Sequence, residues 1–157
     1  MAETSPISSP NAEARPGTSP IDLPLLVETH ADTSGNALMG FLVATRDAIQ
    51  AGLGAISDPG DDAAWRDPLA GVLPHALQVG GDRLVDATNT ALEAEDGSAM
   101  RAALFAWAAQ AHTTLAALDL MIDICLVLGR APNGQPIRPD AHDTGTADTA
   151  EDDPFTS

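Results

Sequence analysis

The sequence predicts an all-α protein: a small bundle of three to five helices with a long, mostly buried C-terminal helix and disordered termini. Three observations lead there. Apolar residues recur at spacings of three, four and seven over long windows, the signature of one helix face. Alternation of the strand type is absent along the whole chain. Both ends are rich in Pro, Ser, Thr, Gly and Asp, a composition that cannot bury enough apolar area to offset chain entropy. The 157 residues therefore divide into a Pro/Ser-rich arm (1–33), a helical bundle domain (34–130) and an acidic tail (131–157). The middle segment is long enough for one helical core.

Within the arm, Ser5-Pro6, Ser9-Pro10 and Ser19-Pro20 punctuate a polar stretch. The apolar patch Ile21, Leu23, Leu25, Leu26, Val27 stands apart from it. Its expected role is to dock on the bundle as an arm or a short helix. The first long helix spans roughly 35–56, with Leu38, Leu42, Ile49, Leu53 and Ile56 on one face. Ser34 or Asn36 caps its start, and "SDPGDD" at 57–62 stops it.

The next stretch, "AAWRDPLAGVLPHALQVGG", predicts a short helix near 62–73, with Asp67 as N-cap and Pro68 at its first position. Pro74 is expected to break that helix and start another, running from about 74 to 95. Gly80-Gly81 either interrupts the second helix or marks close packing. The last helix runs from Ser98 to Leu128, about 46 Å at helical rise. Ser98 caps it, and Gly129 terminates it. Its breadth of apolar positions makes it the expected central helix of the bundle. Trp65 and Trp107, the two tryptophans, read as core anchors.

Charge excludes some functions. Lys and Arg together number 7 against 23 Asp and Glu, for a net charge of −16. That opposes direct binding to nucleic acid, whose phosphates are met mainly by Lys and Arg. It opposes anionic membrane surfaces as well. Cys125 is the single cysteine, so no intrachain disulfide forms, and its apolar flanks make an inert thiol. The first twenty residues carry no basic segment followed by an apolar one, so a cytoplasmic location is expected.

The segment "LAALDLMIDICLVLG" (115–129) is the most apolar in the chain, yet it contains Asp119 and Asp123. Mid-span carboxylates are costly in a bilayer, so a membrane span is not expected. At about 100° per residue, Arg101, His112, Asp119 and Asp123 fall within about 40° of one another and form one polar stripe. As chemistry, His112, Asp119 and Asp123 offer one nitrogen and two carboxylates to a divalent cation. However, His112 lies about 10 Å along the axis from Asp119. The plainer reading is a solvated seam, paired with Arg46 or Arg83.

No phosphate loop, nucleophile elbow, Cys-x-x-Cys pair or H-E-x-x-H motif is present, and no cofactor is implied. The expected function is non-enzymatic: a helical accessory protein that binds a protein partner or forms a homo-oligomer. Residues 115–128 are apolar almost all round, and uncovered apolar area marks an interface. The alternatives are a small enzyme or metal protein using the stripe, and an acidic decoy of a nucleic-acid-binding protein that relies on the tail.

Overall fold

A computed structural model describes residues 19–57 and 64–139. Five α-helices follow in order: α1 (Leu23–Thr29), α2 (Gly35–Ser57), α3 (Arg66–Gln78), α4 (Asp82–Glu93) and α5 (Gly97–Leu128). Among the described residues there is no β-strand, only an isolated bridge between Arg130 and Pro136. Helices α2 to α5 form a closed ring of neighbours, with α2 against α3 and α5, and α4 against α3 and α5; α1 rests on α3. The expected all-α bundle with a long C-terminal helix is the fold observed. The Ser-Pro arm before residue 19, the Asp58/Asp61/Asp62 loop and the acidic tail after residue 139 lie outside the described residues.

The apolar patch at 21–27 docks as a helix. Asp22 caps it by accepting from the Leu25 N–H at 3.1 Å, and Pro24 sits in its first turn, where its missing donor costs nothing. Leu26 is its fully buried anchor. The Asp22 N–H donates to the Val79 carbonyl at 2.8 Å, which ties this helix to the turn after α3.

Helix α2 starts at its expected cap: Ser34 Oγ accepts from the Ala37 N–H at 3.1 Å. Its buried positions, among them Leu38, Leu42, Thr45, Ile49 and Gly52, keep three- and four-residue spacing. Helix α3 corrects the expected break. It runs through Pro74 without interruption. Pro74 and Ala70, whose carbonyl the missing proline N–H would have met, are both exposed, so the lost bond falls on the solvent side of the helix and not in the core. The break comes instead at Gly80, whose φ of +70° is one that L side chains rarely adopt. The start of α3 also lies before the expected cap: Trp65, not Asp67, is the N-cap residue, and Asp67 falls in the first turn.

Helix α5 is capped by Asp96 rather than Ser98, through the Ala99 N–H at 2.8 Å, and ends at Gly129 in the left-handed region. Its buried line is Ala103, Trp107, Ala111, Thr114, Leu118, Ile122 and Cys125. This is one face, not the whole circumference. The expected central position is therefore not observed: α5 is one of four ring members, covered by α2 and α4 and open on its outer side. Trp107 lies at the junction, fully buried. Its Nε1–H donates to Thr88 Oγ1 at 2.8 Å, and Thr88 in turn donates to the Leu84 carbonyl at 2.6 Å.

The packed chain continues past Arg130. Residues 129–138 turn back as a strap, with the Ile137 N–H donating to the Gly129 carbonyl at 2.9 Å and the Ala131 N–H to the Gln135 carbonyl at 2.9 Å. Asn133 Nδ2 donates to the carbonyls of His30 and Thr33, each at 2.8 Å. The Arg138 N–H donates to Asn36 Oδ1 at 2.6 Å. Asn36 is thus a clasp rather than a helix cap. The strap passes so close to Gly35 that a Cβ there would collide with the Pro136 carbonyl.

Candidate interaction surface

Helix lengths create an uncovered surface. Helix α5 has 32 residues and α4 only 12, or about 48 Å against about 18 Å at 1.5 Å per residue. Helix α4 is joined to the start of α5 and packs on Trp107, so it ends well short of the C-terminal half of α5. In that half the sequence stays apolar. Leu120, Ile124, Leu126, Val127 and Leu128 are 48–86% exposed.

Part of this face is concave. A groove of about 550 Å³ lies between Leu23 of α1, the α5 side chains Leu120, Met121, Ile124 and Leu128, and the strap at Ala131 and Pro132. Arg130 also borders it, with its Nη1 donating to the Gly134 carbonyl at 3.0 Å. Cys125 reaches the groove from the core side and is 6% exposed. Burial pushes its thiol pKa above the ordinary value, which lowers its thiolate fraction. An aromatic disulfide reagent is therefore expected to titrate Cys125 more slowly than a free cysteine. Modification that is complete within mixing time, with the fold intact, would contradict this.

The polar stripe lies beside the apolar face. Arg101, His112, Asp119 and Asp123 are all exposed. Neither expected partner reaches them: Arg46 pairs with its neighbour Asp47 at 3.2 Å, and Arg83 points to solvent. The Arg101 Nε–H donates to the Gly97 carbonyl at 3.3 Å. Among the described residues no group of three or more His, Cys, Asp or Glu is placed to hold a metal ion. His112, Asp119 and Asp123 share one face, and among the described residues no further ligand group joins them from another helix.

A polar cluster the sequence reading did not anticipate joins α2 to α3. The Thr45 hydroxyl donates to the Phe41 carbonyl at 2.9 Å, which uses its one hydrogen. His75 Nδ1, at 3.1 Å from the same oxygen, is therefore the donor in that pair. Phe41 stands between His75 and His30, with ring centroids 5.7 and 4.9 Å away. His75 is thus a structural tie between the two helices.

By length and composition α5 could also cross a membrane, and 33% of its most apolar window is buried inside the fold. That same helix supplies Trp107 and six other buried residues to the core. The chain matches no protein-family model, no curated protein and no solved structure.

Proposed function

We propose that this is a non-enzymatic, cytoplasmic protein that works by binding another protein surface through the outer face of α5. The observation that supports this reading is the row Leu120, Ile124, Val127 and Leu128, which is large, apolar and open to solvent. Contiguous exposed apolar surface of this kind marks interaction sites in soluble proteins. The groove beside it has the form that receives an apolar side chain or helix edge from a partner. Charge is nearly absent here: α5 carries only Arg101, Asp119 and Asp123 as charged residues in 32 positions.

The test is thermodynamic. Leu120→Asp/Ile124→Asp is compared with wild type by urea unfolding, at a concentration where both sediment as monomers. A face kept for a partner contributes little to the monomer, so the variant is expected to unfold within about 0.5 kcal/mol of wild type. A loss of about 2 kcal/mol or more, the scale of a buried large apolar side chain, would show that the chain covers this face itself and would overturn the reading.

A further inference from the structure

The outer face of α5 carries a repeat that the apolar row at its C-terminal end only partly shows. Starting at Ala102, residues spaced alternately four and three apart continue to Val127, and each of them is exposed. This is the heptad spacing of a two-helix seam, sustained for about 38 Å. Its N-terminal half is built of Ala102, Ala106 and Ala109. Its C-terminal half carries the bulk, at Leu120 and Val127.

We infer that this face pairs with the same face of a second copy of the chain, with the two α5 helices antiparallel. The inference rests on the proposed docking role of α5 and names its occupant. Three features of the seam favour reversal of direction. The first is size. A two-fold axis near residues 114–115 sets Val127 opposite Ala102 of the second copy, and Leu120 opposite Ala109. Large then meets small at both ends, the condition for interdigitated packing.

The second is charge. The flank of the seam is basic or donating in its first half (Arg101, His112) and acidic in its second (Asp119). Reversal brings His112 against Asp119 of the second copy, twice by symmetry, where a ring N–H meets a carboxylate. On the same flank Phe105, 80% exposed, meets Leu126, 58% exposed. The third is exclusion. Asp123 occupies a seam position. In a parallel pair it would face its own copy across the interface, two carboxylates without a cation, whereas in the antiparallel pair it faces Ala106.

The seam projects about 400 Å² per copy, taking a helix about 10–12 Å wide. At about 800 Å² in total this is below the roughly 1,200–2,000 Å² of stable complexes, so the dimer is weak and reversible.

The test uses the full chain. Sedimentation from low micromolar to several hundred micromolar is expected to show mass rising towards twice the 16.1 kDa chain. Leu120→Asp/Val127→Asp is expected to weaken this at least tenfold, without change in helical content. Register is read from two single-cysteine chains in a Cys125→Ala background, Ala102→Cys and Val127→Cys. Mixed and mildly oxidised, they are expected to form the mixed disulfide in preference to either self-disulfide. Dominant self-disulfides would overturn the antiparallel arrangement. A monomer at every concentration would overturn the dimer but leave the docking role standing if the unfolding test shows the face open. Flotation of wild type with anionic or neutral vesicles, lost in the Asp variant, would assign the face to lipid and overturn the dimer.

Discussion

Trp107→Ala is expected to lose about 3–5 kcal/mol of folding stability, the range for removing a buried large aromatic. Trp107 is fully buried where α2, α4 and α5 meet. Its ring lies on Gly52 of α2, and its Nε1–H donates to Thr88 of α4. Truncation leaves a cavity walled by three helices, none of which can close it alone. It also leaves Thr88 Oγ1 with its donation to Leu84 but without the indole donor. A domain of this size is marginally stable, so the loss amounts to roughly 20 °C in melting temperature. Thr88→Val separates the polar part of this effect. It keeps the volume and leaves the indole N–H buried without an acceptor, at about 1–3 kcal/mol. Calorimetric or urea unfolding of the two variants checks both values. A loss below about 1 kcal/mol for Trp107→Ala would mean that the three-helix junction is not the centre of the core.

The second large effect comes from two glycines in α2, two residues apart. Gly52→Val is expected to cost about 3 kcal/mol, whereas Gly54→Ala is expected to stabilise by about 0.5–1 kcal/mol. A Cβ at position 52 would lie 2.6 Å from Trp107 Cη2 and 3.1 Å from Cζ2. The ring is fully buried and tied through Nε1 to Thr88, so it has no solvent to retreat into. Overpacking of such a site costs about 1–3 kcal/mol, and valine adds the χ1 restriction of a branched residue in a helix. A Cβ at position 54 meets nothing within 4 Å, so alanine there acts through helix propensity alone. Paired unfolding curves should therefore move in opposite directions. If both substitutions moved the same way, the close approach of α2 to Trp107 would be wrong.

These two positions also show what the sequence could and could not convey. In the local sequence Gly52 and Gly54 are alike, two glycines near the end of one helix. Only the tertiary partner distinguishes a glycine required by contact from one tolerated at the surface. Pro74 fails for a related reason. Its local rule is to break or kink a helix, through a lost hydrogen bond and a clash with the carbonyl four residues back, yet α3 continues through it with Ala70 on the exposed side. Gly80 was readable as an interruption, yet its cause, a positive φ, is a backbone property. The helices themselves were legible because α2 and α5 bury single faces at regular spacing. The interaction face was half legible: excess apolarity in 115–128 pointed to uncovered surface, and the structure opens that surface beyond the end of α4. The groove wall supplied by Leu23 and the strap was not legible, since it depends on segments far apart in sequence. The stripe of Arg101, His112, Asp119 and Asp123 was read correctly as one line. Its exposure follows from its place on the side of α5 turned away from the buried line through Trp107 and Leu118.

The Asn133 contacts that hold the strap form late in synthesis. Asn133 bonds His30 and Thr33, partners 103 and 100 residues earlier. At about 5–20 residues per second, a ribosome makes the loop before α2 some 5–20 seconds before it makes the residue that closes it. During that interval the carbonyls of His30 and Thr33 are hydrated, α1 lacks the strap beside Leu23, and the groove has only one wall. The groove is therefore among the last parts of the molecule to form, complete only when the nascent chain has delivered residue 133 beyond the exit tunnel.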